Sequence, residues 1–299
     1  TKCESAKGGA LYFQEGTKEG DEETLILSCT FIDCYATEGE GYAISCGSYK
    51  LSIYNNIFTN HNRGTSSNHS ILRLKNDIIT IADVLFENNS GVSSIKLIVN
   101  NSLSIDRLKF NNYNDNVPCI NLDNWDVNGD IHFRDCQFTN ITNNQCIFDS
   151  QCKSNCILTV YNFINISYKS NSINQNSSCI YCTSNNRYDF SECNFIDIET
   201  TNNGCAIYSE MKSIHLNKCK FINYRSNGDD LSNKFLGSAI CLHPNQNSNN
   251  KFELNNTIFE NCSSLNNGAA LSIICDNDYP IEIINSTFTR CISNKKGGA

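Results

Sequence analysis

A phenylalanine flanked by small or polar residues recurs ten times along this chain, at spacings of 24 to 38 residues. The copies are Phe31, Phe58, Phe86, Phe110, Phe138, Phe163, Phe195, Phe221, Phe259 and Phe288. A sequence period of roughly 20 to 50 residues is typical of solenoid proteins, in which each repeat packs on its two neighbours. The chain is therefore expected to fold as a stack of similar turns.

Two further blocks share this period and supply strands to each turn. A block of alternating apolar and polar residues precedes the Phe, most clearly at 51–55, 79–83, 103–107 and 281–285. A block of small residues followed by an apolar one comes after the Phe, at 41–45, 118–122, 145–148, 178–182, 204–208, 237–241 and 268–272. Short alternating runs without a sustained helical period indicate about three short strands per turn.

The pattern predicts an all-β fold, a single-stranded right-handed parallel β-helix of about ten to eleven turns, with 24–38 residues in each. We expect residues 1–299 to form one continuous domain. Similar stretches at its two ends suggest that this domain is a segment of a longer chain. The longest intervals between phenylalanines, 163 to 195 and 221 to 259, predict loops that leave the stack.

Stacked turns place equivalent residues in columns, which explains two of the residue choices. An inward Phe in every turn would form an aromatic stack along the core. Two residues after the Phe stands Asn or Asp in nine of the ten copies, with Arg290 the exception. Asn tolerates a left-handed corner, and its amide can bond to the equivalent residue one turn away. We interpret these nine residues as a structural ladder rather than a row of ligands: Asp33, Asn60, Asn88, Asn112, Asn140, Asn165, Asp197, Asn223 and Asn261.

The chain has 18 Cys residues, a content that favours disulfides in an oxidising compartment over zinc ligation. Three pairs occupy equivalent positions in adjacent turns, about one strand spacing apart, and a disulfide can span that separation. The disulfide candidates are Cys3 with Cys34, Cys193 with Cys219, and Cys262 with Cys291. A further column of three, which cannot pair completely with itself, contains Cys119, Cys146 and Cys179.

Charge and Asn content bear on partners and location. A formal net charge of −8 with thinly scattered basic residues argues against a nucleic-acid partner. Asn makes up 47 of the 299 residues and creates nine N-glycosylation sequons, which fit a secreted glycoprotein but are about as frequent as chance gives. The sequon residues are Asn68, Asn88, Asn100, Asn140, Asn165, Asn176, Asn255, Asn261 and Asn285. No motif for a metal or a cofactor is present, so none is expected.

Small-residue boxes give the chain a family resemblance. Gly8-Gly9-Ala10-Leu11 and Gly297-Gly298-Ala299 are intact GGA boxes, and Gly204-Cys205-Ala206-Ile207 and Gly268-Ala269-Ala270-Leu271 are degenerate copies. With the Phe–Asn element, they resemble the repeat of the polymorphic outer membrane proteins, known for GGA[ILV] and FxxN motifs. The resemblance spans nearly the whole chain and implies a right-handed β-helix in a surface protein implicated in adhesion. Asn stands two rather than three residues after Phe here, and the Asn-rich composition favours a eukaryotic relative.

Enzymes that act on acidic polysaccharides also use β-helices, and a few short motifs bear on that alternative. An Asp229-Asp230 pair and the Arg-x-Lys motifs at 73–75 and 107–109 are the nearest matches to a hydrolase site. The other motifs of such a hydrolase are missing from the sequence, and no acidic cluster suits the calcium site of a lyase. His132 and His215 lie in predicted strands and are interpreted as outward or hydrogen-bonded side chains. No catalytic residue is therefore assigned.

These features together predict a non-enzymatic extracellular protein, structural or adhesive, that acts as a rigid rod with a binding surface at the cell surface or in a fibre. The alternative is a polysaccharide-acting β-helix hydrolase or lyase, which requires Asp229 and Asp230 to share one face with an Arg-x-Lys motif. Expected partners are a host or neighbouring surface protein or a glycan. End-to-end self-assembly, or continuation of the same solenoid, is also expected from the open repeat.

Overall fold

A computed structural model describes residues 3–14, 23–38, 41–62, 69–115, 117–123, 131–143, 146–151, 157–164, 166–169, 178–182, 187–200, 205–210, 213–227, 238–244, 251–275 and 279–297. Within these ranges the regular structure consists of β-strands, without a helix. The strands pair in parallel, and each pairs with the equivalent strand one turn away. This confirms the predicted parallel β-helix.

Three strand columns run along the stack, and the first, the Phe sheet, carries the recurring phenylalanines. Its main strands are β4 (Thr30–Ile32), β8 (Ile57–Thr59), β10 (Leu85–Glu87), β12 (Lys109–Asp115), β15 (Gln137–Asn143), β18 (Ile166–Lys169), β21 (Asn194–Thr200), β24 (Lys220–Ile222), β28 (Ile258–Glu260) and β32 (Thr287–Thr289). Short strands follow the Phe strands in some turns: β5 (Tyr35–Ala36), β25 (Arg225–Ser226), β29 (Ser263–Ser264) and β33 (Ile292–Ser293). The first strand, β1 (Glu4–Ser5), pairs with β5.

The other two columns are the GGA sheet and the middle sheet, which share two long strands, β9 (Ser70–Ala82) and β11 (Ser93–Asp106). The GGA sheet further contains β2 (Leu11–Phe13), β6 (Gly41–Cys46), β13 (Ile120–Asp123), β16 (Phe148–Gln151), β19 (Ile180–Cys182), β22 (Ile207–Ser209), β26 (Ile240–Leu242) and β30 (Leu271–Ile273). The middle sheet contains β3 (Glu23–Leu27), β7 (Lys50–Tyr54), β14 (Ile131–Arg134), β17 (Ile157–Tyr161), β20 (Arg187–Ser191), β23 (Ser213–Asn217), β27 (Phe252–Asn255) and β31 (Ile281–Ile284).

The Phe rings stack in two runs inside the solenoid. From Phe31 to Phe138, neighbouring ring centroids lie 4.8 to 5.0 Å apart, with interplanar angles of 5° to 14°. From Phe195 to Phe288 the separations are 4.7 to 4.9 Å and the angles 1° to 5°. Because strands of a sheet lie about 4.8 Å apart, rings paired in register are brought to stacking distance by the backbone. The predicted aromatic stack is confirmed in these two runs.

Two left-handed corners bracket the Phe strand. Their non-glycine residues have positive φ angles between 47° and 61°. The second corner is the predicted Asn/Asp column two residues after the Phe, including Arg290. The sequence-based interpretation missed the first corner, which stands three residues before the Phe in nine of the ten turns. It consists of Ser28, Asn55, Asp83, Arg107, Asp135, Asn162, Glu192, Lys218, Asn256 and Asn285.

Phe163 lies outside the stack, so the expectation of one stacked Phe in every turn is wrong at this position. Its ring is tilted by 52° against that of Phe138. The corner residue Asn162 directly precedes Phe163, whereas two residues separate the corner from the Phe in the other turns. Phe163 therefore falls beside Cys193, whose neighbour Asn194 donates its N–H to the Phe163 carbonyl. The ladder position assigned from this Phe, Asn165, lies outside the described residues.

The second corner forms the predicted amide ladder. Asn112 Nδ2 donates to Asn88 Oδ1 at 3.2 Å, and Asn140 Nδ2 donates to Asn112 Oδ1 at 3.1 Å. Farther along the stack, Asn223 Nδ2 donates to Asp197 Oδ1 at 2.8 Å, and Asn223 Oδ1 accepts from Asn261 Nδ2 at 3.1 Å. Each amide thus joins two turns while its residue adopts a backbone conformation that Asn tolerates well. The interpretation of this column as structural is confirmed for these residues.

Ion pairs between turns support the first corner, where several residues are not Asn. The Arg107 guanidinium donates to both carboxylate oxygens of Asp83, at 2.6 and 2.7 Å. This hydrogen bonding holds the pKa of the Asp83 carboxyl below its usual value. Lys218 Nζ lies 3.3 Å from Glu192 Oε1 in the same column. The stack therefore continues through corners that lack an amide.

Glycine is required at two points of the GGA box. Gly8 and Gly268, the first residues of two boxes, have φ angles of +60° and +61°, which side chains with a Cβ rarely adopt. At Gly9 a Cβ would collide with the carbonyl oxygen of Tyr42 in the next turn. The box thus allows the chain to turn sharply into the GGA sheet while the backbones of adjacent turns approach closely.

Replacing Asn112 should separate the two contributions of a ladder residue. Asn112→Gly removes the amide hydrogen bonds but suits the left-handed backbone, whereas Asn112→Ala removes the same bonds and keeps a Cβ, which this backbone conformation disfavours. We expect the Ala variant to be about 1 kcal/mol less stable than the Gly variant, and both to be less stable than the wild type. Urea unfolding of the three proteins measures this difference. An Ala variant as stable as the Gly variant would show that the corner φ carries no cost.

Candidate functional site

The outer face of the middle sheet carries a compact group of titratable side chains. On β20, β23 and β27, alternate residues point inward and are buried, as for Tyr188, Ile214 and Leu254. The intervening residues face outward in three columns, and the cross-strand pairing fixes their neighbours. We call these nine positions the polar grid: Arg187, Asp189, Ser191, Ser213, His215, Asn217, Lys251, Glu253 and Asn255.

The centre of the polar grid is a histidine between two carboxylates. His215 Nδ1 lies 3.1 Å from Glu253 Oε2 and 3.5 Å from Asp189 Oδ1. The side chains of His215, Glu253 and Asp189 are 16%, 17% and 24% exposed, so they are largely covered yet reachable. Ionised carboxylates only accept hydrogen bonds. In the neutral imidazole, Nδ1 therefore carries the proton, and Nε2 is left as an acceptor.

Two cations flank this column on one side. Arg187 Nε donates to Asp189 Oδ1 at 2.9 Å, and Lys251 Nζ contacts Glu253 Oε1. Each carboxylate is thus shared between a cation of its own strand and His215 of the neighbouring strand. Both cationic side chains are 47% exposed, so they retain N–H donors that face solvent.

Burial and neighbouring charges set the protonation states in the polar grid. The pKa of His215 lies below its ordinary value because burial disfavours the charged ring, and Arg187 acts in the same direction. The nearby carboxylates of Glu253 and Asp189 oppose this shift. The hydrogen bond from Lys251 holds the pKa of Glu253 below its ordinary value. At neutral pH the column therefore contains a neutral His between ionised carboxylates.

Two acceptor atoms of the polar grid lack a hydrogen-bond partner among the described residues. They are Nε2 of His215 and Oδ1 of Asn255, both covered atoms in partly exposed side chains. Leaving a buried acceptor without a donor costs about 1–3 kcal/mol. Because the protein covers both atoms, a molecule lying on this face does not reach either acceptor in this arrangement.

An aromatic ring borders the polar grid. Tyr161 is the outward residue of β17 that pairs with Ser191, and 39% of its surface is exposed. Its hydroxyl donates to Glu192 Oε2 at 3.0 Å, which anchors the ring at the edge of the sheet. The face of the ring offers an apolar platform beside the charged column.

The two histidines on the outer face of the middle sheet, His132 and His215, have different neighbours. His132 occupies the same outward column as His215 but pairs with Ser104 and Thr159, so no carboxylate stands opposite it. The predicted outward placement of both histidines is confirmed. Sequence reasoning missed the carboxylates Asp189 and Glu253 because distant segments bring them together. Asp189, His215 and Glu253 each stand three residues before a residue of the first corner. Had that corner been recognised in the sequence, this shared spacing would have placed the three side chains in one column.

Two cavities open on the other faces. One of about 500 Å³ follows the second corner and is lined by Asp197, Glu199, Asn223, Arg225 and Asn261, among others. The ladder amides there already bond to one another. The other, of about 240 Å³, lies against the GGA sheet and is lined in part by Tyr12, Ser45, Arg73 and Lys75.

The motifs weighed for a hydrolase do not converge within the described residues. Arg73 and Lys75 line the smaller cavity on the GGA sheet. Arg107 is a corner residue bonded to Asp83, and Lys109 begins β12 in the Phe sheet. The two Arg-x-Lys motifs therefore lie on different faces. The Asp229-Asp230 pair lies outside the described residues.

The three predicted cysteine pairs lie together, as thiols. Side-chain hydrogen bonds join Cys3 with Cys34, Cys193 with Cys219, and Cys262 with Cys291, and the described cysteines form no disulfide. Sequence reasoning missed a fourth hydrogen-bonded pair, Cys205 with Cys241, because these residues are not at equivalent positions in their turns. The contacts are confirmed and the bridges stay a prediction. The predicted column Cys119, Cys146 and Cys179 is buried.

Six of the nine predicted glycosylation sites fall among the described residues. Asn88, Asn100, Asn140 and Asn285 are exposed. Asn255 and Asn261 are partly buried, the first in the polar grid and the second in the ladder. Asn68, Asn165 and Asn176 lie outside the described residues.

In the part of the chain that the structure describes, no group of three or more His, Cys, Asp or Glu residues is arranged to hold a metal ion. No helix among these residues is long and apolar enough to cross a membrane. No protein-family model, curated protein or solved structure matches the chain. The function has to be argued from the parallel β-helix and its own side chains.

Proposed function

We propose that this protein is a non-enzymatic extracellular rod, structural or adhesive, that presents a binding surface at the cell surface or in a fibre. The observation that carries the proposal is the turn-to-turn bonding of the corners, where amides and ion pairs link residues such as Asn88, Asn112 and Asn140. A stack joined in this way at its corners and by its sheets has few ways to bend. Its outward strands form long polar faces on which a partner can lie.

The resemblance to the polymorphic outer membrane protein repeat supports a surface role. The GGA boxes account for the corner glycines Gly8 and Gly268 and for the close approach at Gly9. The partner would be a host or neighbouring surface protein or a glycan.

Thiol mapping of the native protein tests the extracellular assignment. In an oxidising compartment, Cys193 and Cys219 are expected to form a disulfide, because neighbouring strands lie about 4.8 Å apart and disulfides span about 4.4–6.8 Å between Cα atoms. The protein is isolated from its source without reductant, alkylated and analysed by mass spectrometry. Cys136 is an internal control, since Leu108 and Phe163 are its column neighbours and it should remain a thiol. Eighteen thiols in the native protein would reject the extracellular role.

One observation favours the alternative of a polysaccharide-acting enzyme. Asp189 and Glu253 share a histidine on one outer face, and a pair of carboxylates is the common requirement for glycoside hydrolysis. Both carboxylates are, however, bonded to cations, and the hydrogen bond from Lys251 holds the pKa of Glu253 below its ordinary value. A general acid needs a raised pKa. The polar grid is therefore better suited to binding than to proton donation.

A further inference from the structure

The cavity on the GGA sheet combines cations with an aromatic side chain. Its volume is about 240 Å³, and the described residues that line it include Tyr12, Ser45, Arg73 and Lys75. Two of these described lining residues are cations and none is an acid. We infer that this cavity binds an acidic sugar unit, carboxylated or sulfated, of a glycan partner. The inference rests on the proposed function, because it names the ligand class of the presented surface.

The strand pairing places three cations together on this face. Arg73 and Lys75 alternate along β9 with the buried Leu74, so both side chains point outward. Lys96 is the partner of Arg73 on the adjacent strand β11, and neighbouring strands lie about 4.8 Å apart. The basic residues are thinly scattered elsewhere in a chain of net charge −8. This part of the GGA sheet is therefore a local site of attraction for an anion.

The cations offer enough donors for an oxyanion beside any other contact that they make. A guanidinium has five N–H donors and an ammonium has three. A carboxylate or sulfate can accept two parallel hydrogen bonds from Arg73 while other N–H groups of the same side chain keep their own partners. The nearest acidic residue along β9, Asp77, is buried and accepts from Asn100 Nδ2 at 2.6 Å. Asp77 does not line the cavity.

The rest of the lining suits a sugar ring. The Tyr12 side chain is 48% exposed and offers an apolar surface on which a ring can lie. Ser45 stands between Tyr12 and Arg73 in the strand pairing, and its hydroxyl can donate to or accept from a sugar hydroxyl. Pockets for drug-sized molecules begin at about 300 Å³, so this smaller cavity takes a single sugar unit. An acidic peptide side chain would leave the aromatic surface and the hydroxyl unused.

Calorimetric titration of the whole chain with four hexamers tests the inference. The acidic sugars are hexagalacturonate and a sulfated heparin hexasaccharide, the neutral sugar is cellohexaose, and the acidic peptide is hexaglutamate. We expect at least one acidic sugar to bind roughly tenfold or more tightly than cellohexaose and hexaglutamate. Arg73→Gln should weaken that binding by roughly tenfold or more, and Tyr12→Ala by about threefold. Thermal unfolding of each variant verifies that it is folded.

Lys109→Gln is the matched control, because it removes one positive charge from an exposed side chain of the Phe sheet. It should bind like the wild type. The inference is overturned if neither acidic sugar binds to the folded wild type, if hexaglutamate binds as tightly as they do, or if Lys109→Gln weakens binding as much as Arg73→Gln. Each of these results leaves the rod itself to be judged from the thiol map. Cleavage of a bound acidic sugar would instead overturn the non-enzymatic function and retain the ligand class.

Discussion

Replacing Phe110 by Ala is expected to lower the free energy of unfolding by about 3–5 kcal/mol, the usual cost of removing a buried aromatic side chain. Phe110 is 1% exposed, and its ring lies 5.0 Å from both Phe86 and Phe138. The variant would leave a void between two rings of the stack, which the paired backbones prevent from closing. Thermal and denaturant unfolding measure the loss.

The neighbouring residue provides the control for this experiment. Lys109 lies in the same strand, and its side chain is exposed, so Lys109→Ala should change the free energy of unfolding by less than about 0.5 kcal/mol. Because each turn contacts only its neighbours, hydrogen exchange should rise most around Phe86 and Phe138. A loss below about 1 kcal/mol for Phe110→Ala would mean that the stack relaxes around the void.

Acid is expected to destabilise the protein through His61, by up to about 3 kcal/mol between pH 7 and pH 4. His61 is 1% exposed, and burial lowers the pKa of its imidazole from 6.5 to about 4. Its Nδ1 lies 3.1 Å from Asn89 Oδ1, and Nε2 has no partner among the described residues. Burial outweighs the hydrogen bond with Asn89 and the nearby charge of Asp33, which both favour the protonated ring.

The sign of the effect follows from comparing the folded and unfolded states. Above pH 6.5 the ring is neutral in both, so stability does not depend on its titration. Between pH 6.5 and pH 4 the unfolded chain takes up a proton that the folded protein excludes, and stability falls as the pH falls.

A variant comparison isolates this contribution from the many carboxylates that titrate near pH 4. His61→Gln removes the titration, so its stability relative to the wild type should rise by about 3 kcal/mol between pH 7 and pH 4. His132→Gln, on the outer face, is the matched substitution away from the core. Urea unfolding at both pH values measures the rise. A constant difference between His61→Gln and the wild type would show that the buried ring is protonated in the folded state.

Most of the fold could be predicted from the repeat, because identical residues at equivalent positions of successive turns can be paired without further structural information. Phe86 and Phe110 could be paired in advance, as could Cys193 and Cys219, since each occupies the same place in its turn. The prediction failed at Phe163. This residue has the same side chain as the other members of the repeat, but it directly follows the corner residue Asn162, whereas the other phenylalanines stand three residues after their corner residue. A left-handed corner is a constraint on the backbone, and Ser, Asp, Arg, Glu and Lys all occupy it here.

The polar grid was harder to foresee because its members are chemically different. Asp189, His215 and Glu253 are separated by 26 and 38 residues, and no sequence motif joins them. Only the strand pairing shows that they are neighbours. For the cysteine pairs, the sequence predicted which residues lie together. Whether they are oxidised to disulfides depends on the compartment, which the sequence does not specify.

The direction of the inter-strand hydrogen bonds has a mechanical consequence. In a parallel β-helix these bonds run along the long axis, so tension between the two ends pulls directly on the junction between one turn and the next. Turns would then peel away one at a time rather than shear together. With 24 to 38 residues between successive phenylalanines, each detached turn would release a contour length of about 80–140 Å. Under rising tension a solenoid of this kind would therefore extend in large steps, one turn after another.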